Sequence, residues 1–237
     1  MFRNRPLAAA ALATCLATPA FAQINFTDTQ LVETDPENVL DLVNTTQTID
    51  TTNGLDLTGL TYLTPTLTPG TSVSASLTAT RSFNTGALPF FGKVNAAAKV
   101  KLINAGGDDA VPVVDVDVTF DVIEVDRGVV LTSLAETRST SLTGNGFTTL
   151  EFNNVSSNFA LAPTVDYALR IVYDLTVTLP DNGPLDDTPT VVVVSEFFGN
   201  TDASPFSATI TGFVLPEPSS AALLAAGVGL LACRRRA

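Results

Sequence analysis

The sequence predicts an all-β protein: an antiparallel β-sandwich of about 10–12 strands, flanked by an N-terminal export signal and a C-terminal apolar helix. Three observations lead there. The central part of the 237 residues is rich in Thr, Val, Asn, Asp and Gly, and it lacks the Glu/Lys/Ala-rich amphipathic windows of helices. Several of its segments alternate apolar and polar residues with the two-residue period of half-buried strands. Gly, Pro and Asn-Gly recur between those segments as turn residues.

The flanks come first because they define the domain. Residues 1–22 carry Arg3 and Arg5, then an apolar core over residues 7–16, then the small-x-small triplet Ala20-Phe21-Ala22. This is the build of a secretory signal peptide, whose apolar core is too short for a membrane span. It implies the Sec translocase and signal peptidase as partners, with cleavage after Ala22. Cys15 leaves with that segment, and the other cysteine, Cys233, lies in the tail. Residues 23–212 therefore read as one domain with no disulfide, thiol nucleophile or thiolate metal site, large enough to rely on its core alone.

Within it, residues 24–30 read as a first strand and residues 39–49 as a strand with an irregularity. Residues 51–70, interrupted by Asn53-Gly54, Gly59, Pro65, Pro69 and Gly70, read as one or two short strands joined by turns. In residues 71–83, Val73, Ala75, Leu77 and Ala79 alternate with Ser and Thr. Residues 84–92 read as a loop and residues 94–103 as a strand, although Ala96-Ala97-Ala98 can equally begin a short helix. The clearest signal spans residues 111–134, where Val114, Val116, Val118, Phe120 and Val122 share one face. Asp115, Asp117, Thr119 and Asp121 fall on the other, which the pattern places in solvent. Asp126-Arg127-Gly128 then turns the chain back as a hairpin into residues 129–134. Gly144-Asn145-Gly146 reads as a second hairpin turn, between residues 137–142 and 147–152. Residues 159–161, 165–179, 191–198 and 206–214 supply the remaining strands.

Other β architectures fit less well. A parallel sheet needs crossover helices that the chain lacks. An outer-membrane barrel needs aromatic girdles, and the 14 Phe and 3 Tyr form none. A solenoid needs a regular period, whereas the one internal similarity is short, Thr78-Ala79-Thr80-Arg81-Ser82 against Ala135-Glu136-Thr137-Arg138-Ser139.

Charge and missing residue types narrow the function. Five of the 12 basic residues lie in the flanks, leaving 7 in the domain, and only Glu217 of the 24 acidic residues lies outside it, leaving 23. The domain's formal charge is therefore −16, against −12 for the whole chain. Such a surface disfavours nucleic acid, whose binding depends on Lys and Arg neutralising phosphates. The chain has no histidine, which removes the commonest general base and metal ligand and every Ser-His-Asp or Cys-His arrangement. Gly106-Gly107-Asp108-Asp109 lacks the lysine and the following helix of a phosphate-binding loop. No catalytic motif remains, and the sequence assigns neither a catalytic nor a cofactor-binding residue.

Two acidic groups leave two readings open. Asp108, Asp109, Asp115 and Asp117 form one group, and Asp181, Asp186 and Asp187 form the other. Hard carboxylate oxygens in such groups suit calcium. Equally, alternation forces Asp115 and Asp117 onto a solvated sheet face about 7 Å apart, and the loop over residues 181–187 is an ordinary Asn-Gly and Pro turn without EF-hand spacing.

The C-terminal residues add an address. Pro216-Glu217-Pro218 is followed by an uncharged apolar run over residues 221–233 and by Arg234-Arg235-Arg236. An apolar segment before clustered arginines stops a chain in a membrane with its basic end in the cytoplasm, and this one is short for a permanent span. The order resembles the PEP-CTERM sorting signal of Gram-negative bacteria. That resemblance covers only residues 215–237. It implies Pro216, Glu217 and Pro218 as the signature tripeptide, residues 221–233 as the transient anchor and Arg234, Arg235 and Arg236 as the basic terminus. It further implies processing by an exosortase-type membrane enzyme and delivery to the cell surface or extracellular matrix, with residues 213–237 as linker and signal.

Two classes of function follow. One is a non-enzymatic surface or matrix protein with a structural, adhesive or glycan-associated role, in contact with extracellular polysaccharide. The other is a secreted carbohydrate-binding module or hydrolase with a carboxylate-based site. A concave site lined by Tyr62, Tyr167 or Tyr173 with converging carboxylates separates the second from the first.

Overall fold

The computed structural model describes residues 24–35, 40–42, 47–51, 53–86, 89–105, 111–143, 146–181, 191–197 and 206–214. The expected signal peptide and sorting signal lie outside these residues, and among the described residues no helix is long and apolar enough to cross a membrane. The described elements are twelve strands: β1 (Asn25–Thr34), β2 (Leu40–Leu42), β3 (Gln47–Thr51), β4 (Gly54–Leu63), β5 (Ser72–Asn84), β6 (Phe90–Asn104), β7 (Val113–Glu124), β8 (Val129–Ser141), β9 (Phe147–Leu161), β10 (Asp166–Thr178), β11 (Val193–Phe197) and β12 (Ser207–Val214).

They form two antiparallel sheets. Sheet I runs β1-β5-β10-β7-β8. In sheet II, β11 and β12 share one position in succession. Both lie between β4 and β6: β11 pairs with Leu63 to Gly59 and with Asn104 to Val100, and β12 with Asp56 to Gly54 and with Ala97 to Phe90. β2 and β3 divide the other side of β4 in the same way. Sheet II thus has five positions, ending on β9 beyond β6. From β4 to β11 the chain changes sheet at every connection except β7 to β8, which gives the double Greek key of a jelly roll, widened by β1 on one sheet and by β2 and β3 on the other.

Several expectations change here. Residues 51–70 hold one long strand, β4, because Gly59 with φ 125° lets it bend between its partners β12 and β11 without breaking. Ala96-Ala97-Ala98 is strand, with an irregularity between Ala96 and Ala98 where β9 shifts register. Gly144-Asn145-Gly146 does not join a hairpin: β8 belongs to sheet I and β9 to sheet II, so the glycines mark a crossing between sheets. The Asp126-Arg127-Gly128 turn does join a hairpin, β7 to β8, with Gly128 at φ 61°.

Alternation explains the core. Val73, Ala75, Leu77 and Ala79 of β5, Val114, Val116, Val118, Phe120 and Val122 of β7, and Leu169, Ile171, Leu175 and Val177 of β10 all point between the sheets and are buried. Each large one contributes about 1.5–3 kcal/mol relative to exposure, the stabilisation that a domain without disulfides requires. The centre is aromatic. Tyr173, Phe197 and Phe206 pack with centroids 4.8, 5.2 and 6.1 Å apart, and Phe120 lies 6.3 Å from Phe206. Phe197 ends β11 and Phe206 precedes β12, so the interruption of the shared position feeds two rings into the middle of the core.

The two ends of the sandwich differ. At one end, here the base, β1 begins beside Asn84 and β12 finishes with Val214 beside Phe90. Thr164 N–H donates to the Gly86 carbonyl (2.7 Å) and Val125 N–H to that of Asp166 (3.0 Å), tying the base connections together. At the opposite tip, Ala105 N–H donates to Val192 (2.8 Å), Gly70 N–H to Leu179 (2.7 Å), Val191 N–H to Pro65 (3.0 Å) and Leu142 N–H to Pro112 (2.9 Å).

Candidate functional site

Two outer surfaces carry the polar chemistry. On sheet I, β5 presents Ser72, Ser74, Ser76, Thr78 and Thr80, and β10 sets Thr178, Thr176, Asp174, Val172 and Arg170 directly opposite them. β7 follows with Asp115 opposite Thr176, Asp117 opposite Asp174 and Asp121 opposite Arg170. The result is a ladder of hydroxyls and carboxylates. Ser74 and Thr176 share a 2.7 Å hydrogen bond between their hydroxyls, and the Thr137 hydroxyl of β8 donates to Asp117 Oδ1. Asp117 and Asp174 are like charges in directly opposed positions, an arrangement that opposes pairing and that the Thr137 hydroxyl partly offsets.

Of the expected calcium ligands, Asp115 and Asp117 lie on this face, half-buried, and Asp181 is exposed at the tip. Asp108, Asp109, Asp186 and Asp187 lie outside the described residues. Among the described residues, Ala105, just before the first of these segments, is hydrogen-bonded to Val192, just after the second. Among the described residues no three carboxylates converge as a metal site requires. Sequence reasoning missed Asp174 as the neighbour of Asp117, because that proximity comes from the register of β7 on β10. The sorting residues Pro216, Glu217, Pro218, Arg234, Arg235 and Arg236 also lie outside the described residues.

Asp121 corrects the expectation that this whole face is solvated. It is buried, and Arg170 Nε and Nη2 both donate to its Oδ2, at 3.0 and 2.5 Å. A carboxylate there is tolerated because the guanidinium opposite supplies two charge-assisted hydrogen bonds. The tyrosines also resolve. Tyr167 and Tyr173 are inside the sandwich. The Tyr173 hydroxyl is 2.8 Å from that of Ser195, and burial raises its pKa well above the usual tyrosine range. Burial likewise raises Tyr167, whose hydroxyl accepts from Ala162 N–H at 2.8 Å. Only Tyr62 of the three reaches a surface, half-exposed on β4.

The outer face of sheet II is different in kind. The chain's three lysines, Lys93, Lys99 and Lys101, all lie on β6 and all face outward. Lys99 pairs with Glu151 of β9 (2.9 Å) and Lys101 with Glu196 of β11 (3.1 Å). Lys101 also lies 5.1 Å from the ring centroid of Phe147, which is 68 % exposed. Toward the base, Phe91, Gly92, Lys93, Asn158, Thr211 and Gly212 line a shallow hollow of about 420 Å³. Register builds it: Lys93 of β6 stands between Asn158 of β9 and Thr211 of β12, with Phe91, 45 % exposed, two residues along. Gly92 and Gly212 are required beneath it. A Cβ at Gly92 would strike the Phe90 and Phe159 rings, and one at Gly212 would strike the Phe91 carbonyl and the Phe90 ring. Sequence reasoning missed this site, although three lysines within nine residues of an acidic chain were a readable signal.

No protein-family model matches the chain, and no curated protein sequence does. Among solved structures, it is similar to TmCBM61 in complex with β-1,4-galactotriose, at 9 % identity and a TM-score of 0.25, over 71 % of this chain and 87 % of that one. A second is the Clostridium thermocellum xylanase 10B fragment of CBM22-1 and GH10 modules complexed with xylohexaose, at 13 % identity and a TM-score of 0.23, over 81 % of this chain and 26 % of that one. A third is the infectious bursal disease virus VP2 subviral particle, at 14 % identity and a TM-score of 0.25, over 84 % of this chain and 43 % of that one. The jelly-roll assignment rests on the strand pairing itself.

Proposed function

We propose that residues 23–212 form a non-enzymatic display module, exported, sorted by the C-terminal signal to the cell surface or extracellular matrix, and associated there with polysaccharide. The observation that supports this reading is the placement of the ends. β1 enters and β12 leaves at the base, so a tail continuing from Val214 tethers the sandwich by that end. The opposite end, which carries Asp181, then points away from the membrane.

Processing by an exosortase-type enzyme belongs to the same proposal. Intact mass of the protein recovered from its native host is expected to show loss of Arg234, Arg235 and Arg236, and their retention would refute processing. The carbohydrate-binding alternative is favoured by one specific observation, the hollow on sheet II with an exposed ring, an ammonium, an amide and a hydroxyl together. The hydrolase alternative gains no such support, because Tyr167 and Tyr173 are core residues and the Asp117–Asp174 pair stands on an open face.

A further inference from the structure

The domain's seven basic residues are accounted for one by one. Lys99, Lys101, Arg127, Arg138 and Arg170 each hold a glutamate or aspartate. Arg81 is buried, with Nη1 donating to the Gly54 carbonyl at 2.5 Å and its guanidinium 4.2 Å from the Phe26 ring centroid. Lys93 alone, among the described residues, is an exposed cation without an ion-pair partner. In a domain of 23 carboxylates a surface lysine has abundant acids to choose from. This one stands instead in the sheet II hollow, between an amide and a hydroxyl and close to an exposed ring.

From this placement we infer that the hollow binds an acidic glycan, a chain of pyranose rings bearing carboxylates, with the carboxylate on Lys93. The inference rests on the glycan-associated reading above and names its ligand class. The Phe91 ring offers an apolar face against which the C–H side of a pyranose packs. The Lys93 ammonium carries three donors for a carboxylate. The Asn158 amide donates to and accepts from ring hydroxyls. Thr211, which accepts weakly from Asn95 Nδ2 and donates weakly to the Lys93 carbonyl, both at 3.4 Å, exchanges those long bonds for shorter ones to the ligand.

Local charge supports an anion despite the domain's total. The four strands around the hollow, β6, β9, β11 and β12, together carry three lysines and two glutamates, a local excess of one positive charge, whereas the sheet's aspartates, Asp41, Asp50 and Asp56, lie on β2, β3 and β4. The carboxylates Asp115, Asp117, Asp121 and Asp174 stand on the opposite side of the sandwich. Two packed sheets, about 10 Å apart, plus the side chains on each outer surface separate them by more than the roughly 8 Å screening length at physiological ionic strength. An anionic membrane surface is the weaker candidate, since attraction there takes clusters of about 4–8 Lys or Arg and this face has one uncommitted lysine.

Calorimetric titration of the protein exported by its own host, wild type and Lys93→Gln, tests this with three probes: oligogalacturonate, the same oligomer fully methyl-esterified, and phosphatidylglycerol vesicles. Wild type is expected to bind the acid at least about tenfold more tightly than the ester, and K93Q to lose that margin with an unchanged melting temperature. Equal binding of acid and ester, or an unaltered margin in K93Q, overturns the acid preference while keeping glycan association. Binding of neither oligomer overturns both readings. Vesicle binding that K93Q abolishes, without saccharide binding, reassigns the hollow to the membrane.

Discussion

The outer faces of sheets I and II are built from the same alternating strands, yet the Asp121–Arg170 pair on one and the β6 lysines on the other handle charge in opposite ways. Sheet I embeds it: Asp121 is sunk into the face and held by Arg170 from the adjacent strand, and hydroxyls from Ser74, Thr176 and Thr137 tie neighbouring strands together. The β6 lysines of sheet II lie on top. Lys99–Glu151 and Lys101–Glu196 are partly exposed pairs, and Lys93 has no carboxylate partner among the described residues. The difference separates structural charge from available charge. An embedded pair is committed to the fold, whereas a surface lysine beside an open hollow can be given to a ligand without weakening the sheet.

The largest expected effect breaks that contrast directly. Arg170→Met strands Asp121 in the face without its two donors and is expected to cost about 1.5–3 kcal/mol in urea unfolding, the range for losing hydrogen bonds to a charged group. Lys99→Met removes a pair whose glutamate is 67 % exposed and is expected to cost roughly 0–1 kcal/mol. Equal losses at the two positions would erase the distinction between the faces.

A second test concerns the contact between the sheets. Tyr173 of sheet I meets Ser195 of sheet II, and burial raises the pKa of both Tyr173 and Tyr167 in the folded protein. A raised folded-state pKa favours the protonated phenol in the fold. Its stabilisation is complete below the unfolded value of about 10 and is lost as pH rises from there toward the folded value. Stability is expected to fall above about pH 10 by up to about 1.4 kcal/mol per pH unit through Tyr173, with Tyr167 adding in the same direction. Tyr173→Phe is expected to flatten that fall, and an identical alkaline slope in the variant would contradict it.

The smallest expected effect lies at the acidic tip and the carboxylate ladder. Calcium at millimolar concentration is expected to raise the melting temperature modestly where Asp108, Asp109, Asp115 and Asp117, or Asp181, Asp186 and Asp187, hold the ion. No rise would leave those aspartates as solvated charge.

Much of the sandwich is legible in the chain because one face of each strand had to be apolar. Val114 to Val122 and Leu169 to Val177 announce their buried sides by parity alone. Partners are less legible than strands. Gly144-Asn145-Gly146 has the composition of a hairpin turn, but whether a chain reverses within a sheet or crosses to the other is decided by which faces must pack, a long-range condition. Asp121 looked like its neighbours Asp115 and Asp117, and only the register of β10 brings Arg170 across to bury it. The Lys93 hollow depends on the same information, since Asn158 and Thr211 come from strands far along the chain.

The shared position of β11 and β12 has a consequence for timing. β4 and β6 flank the slot from both sides, and their partners are the last two of the described strands: Asp56 waits for Ser207, and Phe90 for Val214. Until then two neighbouring strands of sheet II have open edges toward each other and the core lacks Phe197 and Phe206. Pairings of such long sequence separation are slow to form. The sheet closes only once β12 has emerged, so the two halves of sheet II stay unjoined until nearly all of the described strands have been made. A chain halted before β11 would present the edges of β4 and β6 as an adhesive surface.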